Sequence, residues 1–343
     1  MHISELDYHL PEELIAQKPA WRRDRARLMT LDRARGTISV GQIRDLPNIL
    51  ERNDCVVVND SRVMPARLRG RKTTGAHVEA LLLREIEPHV WEAMVRPGRR
   101  FKPGTVIQFG RGGTVRAKVI DGPDGKTRYL KFEHESDIHA LMDRIGEPPL
   151  PPYIKRKPGS RDRRRYQTVF ANERGSIAAP TAGLHFTHSL LRNLEQKGVR
   201  IARVTLHVGF GTFKPVTVEQ IEDHEVDAEH YRIGPTAADR IRATRTDAGR
   251  IVAVGTTVCR TLETAACPDG SVPTADGETR LYIRPGYTFR AVDALLTNFH
   301  LPKTSLLALV MAFAGKDFVI EAYERAVKEK FRFYSYGDAM LIL

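Results

Sequence analysis

Apolar and polar side chains alternate at strand spacing over residues 199–208. Four apolar residues from Ala202 to Val208 share one face and His207 lies on the other, because successive strand side chains point to opposite faces. The run CVVVND at residues 55–60 is apolar until it closes on Asn-Asp, which is typical of a buried strand that ends in a turn. Both patterns predict strands, and the Asn-Asp turn after the second strand is a candidate part of a functional site.

Helical spacing recurs after residue 187 and alternates with strand-like runs. Thr187 can cap a helix whose leucines share one face, and Gly198 ends it. Pro235 opens a second helix that ends at Gly249. The further predicted elements are a buried strand over 251–255, a helix over 257–266, a strand over 279–284, and helices over 304–314 and 317–330. This alternation predicts α/β architecture.

Residues 67–132 have a different pattern, with short apolar segments separated by TTG, GRR, GRGG and DGPDG. Closely spaced short strands and turn signals predict a small all-β barrel or sandwich. The expected fold class is therefore α/β. A main α/β domain formed by both chain ends, residues 1–62 and 150–343, carries an inserted small all-β barrel domain at residues 63–149.

Charge adds a class of partner to this picture. The 343 residues include 54 Lys and Arg against 42 Asp and Glu, and the net charge of +12 favours a polyanionic partner. Cys55, Cys259 and Cys267 form no CxxC, which argues against disulfides and against zinc or iron–sulfur sites. The N-terminus has no secretory pattern, and the longest apolar run, SLLALVMAFAG, is too short to cross a bilayer. We expect a cytoplasmic protein without a membrane partner.

Three segments place a histidine beside a large apolar residue: GLHFT with His185, TLHVGFGTF with His207 and TNFHLP with His300. A single histidine of this kind is more often a satisfied core residue. Three similar segments favour chemistry, because an imidazole in a dry pocket can transfer protons near neutral pH. No HExxH or carboxylate-interleaved spacing accompanies them, so no metal site is expected.

Two glycine-containing turns suit a ligand. Gly209 and Gly211 would let backbone N–H groups approach it, although a hairpin or bulge explains the same spacing equally well. Gly-Thr-Thr at residues 255–257 ends a buried strand and starts a helix, where open α/β sheets bind ligands and helix N–H groups attract anions. The alternative is that Thr257 is only a helix cap. The motifs GxxxxGK[ST], GxGxxG and GxSxG are absent, which argues against P-loop, dinucleotide-binding and α/β-hydrolase functions.

Residues 146–167 are rich in proline and basic side chains, which predicts an extended, positively charged connector. Tyr153 and Tyr166 flank the basic run, and charge combined with planar faces suits single-stranded or loop RNA. A solvated loop is the alternative. The candidate RNA-binding residues are Lys155, Arg156, Lys157, Arg161, Arg163, Arg164 and Arg165.

A series of motifs runs nearly end to end along the chain: YHLPEELIAQKP, VVVNDSRVMPARL, PLPPYI, RYQTVFA, GSIAAPTAGLHFT, TLHVGFGTFKPV, AVGTTVCRTLE, RPGY, LLTNFHLPKTSLLALVMAFAG and FRFYSYGDAMLI. Together they resemble the S-adenosylmethionine:tRNA ribosyltransferase-isomerase family of queuosine biosynthesis. The resemblance implies transfer and isomerisation of the ribosyl group of S-adenosylmethionine onto 7-aminomethyl-7-deazaguanine at the tRNA wobble position. It implies epoxyqueuosine, adenine and methionine as products, the anticodon stem-loop as partner, and no metal or other cofactor. A monomer is favoured.

The resemblance also assigns expected roles to residues. The catalytic candidates, for proton transfer or substrate orientation, are His185, His207 and His300. The candidate substrate-binding residues are Asp60, Thr181, Gly209, Gly211, Thr212, Thr256, Thr257, Arg260 and Asn298. Of these, Thr256, Thr257 and Arg260 are expected to face the methionine carboxylate or the ribose. Asp60 and Asn298 are expected to face the modified base or adenine.

Two places differ from the family pattern. Val226-Asp227 stand where a Met-His pair is expected after His224, which weakens a catalytic role for this neighbouring histidine. Thr304-Ser305 reverse the expected Ser-Thr order but keep both hydroxyls. Ala308 stands where a methionine is expected.

Two other functions stay open at this point. One is a non-catalytic RNA-binding protein built on the connector and the β insert, which explains the charge but gives the three histidine segments no role. The other is a metal-independent hydrolase that uses His and Asp. Release of adenine from S-adenosylmethionine in the presence of precursor tRNA distinguishes all three.

Overall fold

A computed structural model of the chain describes residues 1–97, 101–120, 127–133, 137–209, 211 and 216–343. These residues form a nine-stranded sheet, a closed barrel and a two-stranded parallel pair. The strands are β1 Arg27–Asp32, β2 Thr37–Gln42, β3 Cys55–Asn59, β4 Ser61–Val63, β5 Arg67–Lys72, β6 His77–Glu87, β7 Val90–Arg96, β8 Val106–Phe109, β9 Val115–Ile120, β10 Arg128–Phe132, β11 Glu173–Ser176, β12 Arg200–Leu206, β13 Glu229–Ile233, β14 Ile251–Val254, β15 Ala275–Thr279, β16 Ala294–Asn298 and β17 Ala339–Ile342.

The α-helices are α1 Leu46–Ile49, α2 Ile138–Ile145, α3 Asp162–Arg165, α4 His188–Gln196, α5 Pro235–Thr246, α6 Thr256–Ala265, α7 Ser305–Ala314 and α8 Lys316–Lys328. Within the described ranges, none of them is long and apolar enough to cross a membrane. The predicted cap of α4 is confirmed, because the Thr187 hydroxyl accepts a hydrogen bond from the Leu190 N–H at 3.1 Å.

The large sheet has the strand order β15-β13-β12-β3-β14-β16-β17-β1-β2. Its central strands β12, β3, β14 and β16 are parallel to one another. β17 is antiparallel to β16 and parallel to β1. The carboxyl ends of the four central strands therefore lie at one edge, the position where open α/β sheets bind ligands.

Alternate residues of β3 supply the apolar cores on the two faces of this sheet. Val57 belongs to the same buried cluster as Leu262 of α6. Val58 belongs to a second cluster with Leu190 of α4. Burial on both faces explains why β3 and β14 are continuous apolar runs, as is usual for parallel strands covered by helices.

The barrel has the strand order β10-β7-β6-β5-β8-β9 and every neighbouring pair is antiparallel. It has its own buried cluster, which includes Trp91, Phe109 and Leu130. The predicted α/β fold class with a small all-β barrel is confirmed, and the barrel rather than the sandwich is present. The domain boundaries at residues 62/63 and 149/150 stay a prediction.

The strand predicted over 279–284 is wrong, because β15 covers Ala275–Thr279 and the following residues form no strand. The alternation of apolar residues over 279–284 reflects burial of side chains in the core and not hydrogen bonding to a neighbouring strand. Ile283 is buried in the main core, and the Leu281 carbonyl accepts a hydrogen bond from Arg260 Nε at 2.9 Å. A side chain has therefore taken the place of a neighbouring strand at this carbonyl.

Candidate active site

Four strand ends bring polar residues to the same edge of the large sheet. Asn59 and Asp60 end β3, His207 follows β12, residues 255–257 follow β14, and Asn298 is the last residue of β16. Because the four strands are parallel, residues distant in sequence come together here. The edge is the first candidate for a functional site.

A narrow cleft opens at this edge, with about 40 Å³ of open volume. It brings together five of the predicted substrate-binding and catalytic residues: Thr181, Thr256, Thr257, Asn298 and His300. Tyr334 and Ser335 also line it. We call it the histidine cleft.

His300 lies in the histidine cleft with its imidazole and its backbone both held. Its Nε2 atom is 2.8 Å from the Thr297 hydroxyl, and its N–H donates a hydrogen bond to the Tyr323 hydroxyl at 3.0 Å. The preceding Phe299 is fully buried against Phe331 and anchors the turn. Burial lowers the pKa of His300 to about 3, so its imidazole is neutral at pH 7.

His185 is buried one side chain behind the cleft. Its Nε2 atom lies 3.1 Å from the Asn298 amide nitrogen, which also donates to the carbonyls of Tyr334 and Asp338 at 3.3 Å. Burial, reinforced by the positive charges of Arg23 and Arg332, lowers the pKa of His185 to about 4. A neutral imidazole that accepts from Asn298 is therefore the state at pH 7.

The carboxamide of Asn298 is held by its nitrogen. Its oxygen Oδ1 is buried and has no hydrogen-bond partner among the described residues. Buried polar atoms are almost always bonded, so an unpartnered acceptor that lines a cleft marks a position for a ligand donor.

His207 and Asp60 are not among the described residues that line the histidine cleft. The His207 ring stacks on His230 with centroids 6.1 Å apart, and a side chain at Gly175 would come within 2.7 Å of it. Asp60 accepts a hydrogen bond from the Thr205 hydroxyl at 2.7 Å, and burial raises the pKa of its carboxyl. Both residues are thus at the β12 side of the edge.

The N-terminus of α6 reaches the cleft through a glycine. Gly255 is the N-cap, with φ of 95°, a conformation that favours glycine. The N-cap is thus Gly255, which has no side chain to cap the helix, and the interpretation of Thr257 as an N-cap is wrong. Thr257 Oγ1 is instead 3.5 Å from the Asn59 amide nitrogen, and Thr256 opens the helix. Gly255, Thr256 and Thr257 all line the histidine cleft, so the N-terminal turn of α6, where backbone N–H groups lack intrahelical partners, lies at this cleft.

A second cleft adjoins the first, and Leu306 lines both. We call it the arginine cleft because Arg260 lines it together with Glu229. The Arg260 guanidinium forms a buried ion pair with Glu229 through Nη1, and Glu229 also accepts from the Gly209 N–H at 2.9 Å. Among the described residues, Arg260 Nη2 has no partner. A bidentate grip on a ligand carboxylate would therefore require displacement of Glu229.

Gly211 also lines the arginine cleft. A Cβ atom at this position would lie 2.0 Å from an Asp227 carboxylate oxygen, so close approach of Asp227 requires glycine here. Thr212, the neighbouring candidate, lies outside the described residues.

The basic connector is only partly free to bind RNA. Arg156 pairs with the buried Asp162, Arg165 donates to the Trp21 carbonyl at 3.5 Å, and Arg163 lies 3.7 Å from the Asp143 carboxylate. Lys155 pairs with Glu12 at the surface. Of the seven candidate RNA-binding residues, Lys157, Arg161 and Arg164 have no side-chain hydrogen bond or ion pair to the described part of the chain.

Tyr153 and Tyr166 do not serve as exposed stacking platforms, so that prediction is wrong. Tyr166 is only 1% exposed, and the Tyr153 ring packs edge-on against Tyr334 with centroids 3.9 Å apart. Their apolar rings are instead part of the packing beneath the connector, in a cluster with Leu184. The connector is also not extended throughout, because α3 forms within it.

Comparison with known proteins decides the family. The model of the queuosine biosynthesis protein family matches residues 3–342. The chain belongs to this family. An S-adenosylmethionine:tRNA ribosyltransferase-isomerase of Geobacter sulfurreducens is 49% identical over 344 residues, which cover 100% of both chains. The crystal structure of an S-adenosylmethionine tRNA ribosyltransferase from Thermotoga maritima is 39% identical, has a TM-score of 0.57, and covers 99% of this chain and 100% of its own.

The two departures from the pattern of the queuosine biosynthesis family have different surroundings. Val226 and Asp227 both line the arginine cleft, so the Asp227 carboxylate lies at a surface that a ligand can reach. Thr304 caps α7 by accepting from the Leu307 N–H at 3.3 Å, and Ser305 faces the arginine cleft. The reversed Thr-Ser order thus keeps one hydroxyl as a helix cap and the other at the cleft.

Sequence reasoning missed Glu229, Tyr334 and Ser335. Glu229 had a signal, because strand spacing places it on the same buried face as Tyr231 and Ile233. A carboxylate on an apolar face needs a buried partner. Tyr334 and Ser335 lie in the FRFYSYGDAMLI motif, where Tyr334 has φ of 72°, an uncommon conformation for a non-glycine residue at the cleft wall.

Proposed function

We propose that this protein transfers and isomerises the ribosyl group of S-adenosylmethionine onto 7-aminomethyl-7-deazaguanine at the wobble position of tRNA. The products are epoxyqueuosine-tRNA, adenine and methionine. The observation that carries the proposal is the full-length 49% identity to a ribosyltransferase-isomerase. The histidine cleft supplies groups suited to each stage of this chemistry.

Proton removal starts the reaction. The sulfonium of S-adenosylmethionine acidifies the neighbouring ribose C5′ hydrogens, and loss of one leads to elimination of adenine. His300 is the group we assign to this proton, because it is the one of the three candidate histidines found among the described residues that line the cleft. The free aminomethyl group then attacks the ribosyl fragment, and closure of the epoxide expels methionine.

Substrate orientation falls to His185 and Asn298. His185 accepts from the Asn298 amide and so fixes its carboxamide, which leaves Oδ1 as an acceptor. That oxygen suits an amino group of adenine or the aminomethyl group of the tRNA base. His185 is thus a positioning residue in this proposal, because it acts through Asn298.

The methionine carboxylate suits the N-terminus of α6. Backbone N–H groups at Thr256 and Thr257 offer positive partial charge there. Arg260 adds at most one hydrogen bond through Nη2, since Glu229 already neutralises its charge. No metal or other cofactor takes part, and S-adenosylmethionine is a co-substrate.

The partner is the anticodon stem-loop of a precursor tRNA, which we place against the basic connector in a monomeric, cytoplasmic enzyme. The net charge of +12 supports a polyanionic partner. The side chains of Lys157, Arg161 and Arg164, which make no hydrogen bond or ion pair to any described residue, are suited to contact its phosphates.

The test is adenine release. Purified protein is mixed with S-adenosylmethionine and tRNA that carries the 7-deazaguanine precursor, and free adenine is measured by chromatography, with precursor-free tRNA as the control. We expect free adenine in the sample that contains precursor tRNA and none in the sample with precursor-free tRNA. The yield of adenine should be the same after the protein is treated with a strong chelator. Binding of tRNA without any adenine release would contradict the proposal and favour a non-catalytic RNA-binding protein. Loss of adenine on chelation, restored by zinc or magnesium, would contradict its metal-free form.

A further inference from the structure

A groove of about 740 Å³ lies outside both clefts, between residues 18–21 and the basic connector. Trp21, Arg161, Arg164 and Arg165 line it. Its volume is within the range of about 300–1,000 Å³ that is usual for small-molecule sites. We call it the tryptophan groove, and it has room for a nucleotide.

Trp21 is 88% exposed, whereas the other large hydrophobic side chains that are exposed in the described ranges, Val40 and Ile86, are 39% and 38% exposed. Burial of an indole is strongly favourable, so packing does not account for a tryptophan at this position. Its backbone is nevertheless held, because the Arg165 guanidinium donates to the carbonyls of Ala20 and Trp21. The ring therefore stands in solvent on an anchored segment.

The tryptophan groove is positively charged. Asp162 is the one acidic side chain among its described lining residues, and this carboxylate is only 4% exposed. Arg156 neutralises it through two hydrogen bonds of 2.6 and 2.7 Å. The exposed guanidinium groups of Arg161 and Arg164 have no such counterion among the described residues. A planar aromatic face beside unpaired arginines suits a nucleotide, whose base stacks and whose phosphate pairs.

The groove adjoins the catalytic residues through Arg23. One end of this guanidinium donates to the Leu184 carbonyl at 2.8 Å, next to His185. The other end donates to the carbonyls of Arg164 and Gln167 at 3.2 and 2.8 Å. A single arginine side chain thus joins the groove wall to the segment behind the histidine cleft.

We propose that the tryptophan groove binds an unpaired loop nucleotide close to the modified base of tRNA, with its base stacked on Trp21 and its phosphate on Arg161 and Arg164. This inference rests on the proposed function for the identity of the RNA, because that function makes tRNA the molecule that is bound, whereas stacking on Trp21 can be tested without catalysis. It adds a stacking subsite that holds the loop while the modified base occupies the histidine cleft.

The test compares Trp21→Ala, Trp21→Phe and the matched surface control Ile86→Ala with the parent protein. Affinity for a fluorescently labelled anticodon stem-loop is measured by anisotropy. Stacking of one base typically contributes about 1–3 kcal/mol, so we expect Trp21→Ala to bind about 10-fold more weakly, Trp21→Phe within about 3-fold of the parent, and Ile86→Ala unchanged. The RNA should also quench tryptophan fluorescence in the parent but not in Trp21→Phe, where the buried Trp91 alone emits.

Equal RNA affinity of Trp21→Ala and the parent, with adenine release intact in the parent, would overturn the inference and leave the proposed function standing. Weaker RNA binding by Trp21→Ala in a protein that never releases adenine would uphold the subsite and overturn the proposed function. Sedimentation provides the third outcome. Self-association that is lost in Trp21→Ala, with RNA affinity unchanged, would assign Trp21 to a protein interface and overturn the inference.

Discussion

The histidine cleft and the tryptophan groove differ in how they are built. The cleft takes its residues from distant parts of the chain, Thr181, Thr256 and Asn298 among them, which meet because β14 and β16 are parallel. The groove takes its residues from two short segments and is largely exposed. The chemistry proposed for the cleft would therefore depend on long-range topology, whereas the RNA contact proposed for the groove would depend on local charge.

The two regions also differ in the state of their ionisable groups. Desolvation keeps the cleft histidines neutral, with the pKa of His185 lowered to about 4 and that of His300 to about 3. The guanidinium groups of Arg161 and Arg164, in contrast, are exposed to water. Substitutions in the cleft should therefore change reaction rates, and substitutions in the groove should change RNA affinity.

The largest effect is expected for His300→Ala. Loss of a proton-transfer group typically slows a reaction by about 10²–10⁴-fold, so single-turnover adenine release should fall by at least about 10²-fold. RNA affinity should stay within about 2-fold of the parent, because His300 is buried and is not among the residues that line the tryptophan groove, where we propose that the RNA phosphates bind. His188→Ala, at an exposed position of α4, is the matched control. A parent-like rate in folded His300→Ala would remove this residue from the chemistry and end the division of roles between the two regions.

His185→Ala is expected to slow adenine release by about 10²-fold as well, through loss of the fixed Asn298 carboxamide rather than loss of a base. It should also cost stability, because the Asn298 amide loses a buried partner worth about 1–3 kcal/mol. His185→Gln, which can restore an acceptor, should recover part of the rate. Melting temperature and single-turnover rate are measured on the same samples. A clear loss of stability with an unchanged rate per folded molecule would make His185 a core residue.

Sequence patterns predicted the individual strands and turns that form the cleft, each from its own local segment. The runs CVVVND and IVAVG identified β3 and β14, and Gly-Thr-Thr marked the edge position that Thr256 and Thr257 occupy. What the patterns could not provide is strand order, which decides that His300 enters the cleft, His185 lies behind it and His207 stacks elsewhere on His230. Similar local surroundings in sequence therefore led to three different positions.

The barrel and the connector show the converse case. The predicted run of short strands is confirmed by the six barrel strands β5 to β10, because antiparallel hairpins are built from local contacts, whereas the predicted turns GRR and DGPDG lie outside the described residues. In the connector, the sequence predicted the positive charge. It did not predict the ion pair between Arg156 and Asp162 or the burial of Tyr166. No sequence pattern identified Trp21 as a candidate, because only the fold places it beside Arg161, Arg164 and Arg165.

Acid should lower the free energy of unfolding through protonation of His185, which is buried behind the histidine cleft. The folded-state pKa of His185 lies near 4 and the unfolded value near 6.5, so the unfolded chain binds the proton first. The contribution of His185 to the free energy of unfolding should be constant above about pH 6.5 and should fall by at most about 3 kcal/mol as pH decreases towards about 4. Urea unfolding near pH 7.5 and near pH 5 measures the difference. His185→Gln should reduce it, and the exposed-site control His188→Gln should not; equal pH dependence in His185→Gln and the parent would contradict a buried neutral His185.

The smallest effect is expected for the groove, in the salt dependence of RNA binding. Each phosphate contact on a single strand contributes about 0.7 to the negative log–log slope of affinity against salt. The double substitution Arg161→Ala with Arg164→Ala should flatten the slope by about 1.4, because both guanidinium groups are exposed and make no ion pair among the described residues. Replacement of Arg163, Arg164 and Arg165 together should flatten it by less than three contacts would give, since Arg165 is bound to backbone carbonyls and Arg163 lies near Asp143. Arg35→Ala, 82% exposed at the β1–β2 turn, is the control, and its slope should equal that of the parent. If the double variant keeps the parent slope, the phosphates of the bound RNA do not reach Arg161 and Arg164, and the connector's charge has to be assigned to solubility rather than to recognition.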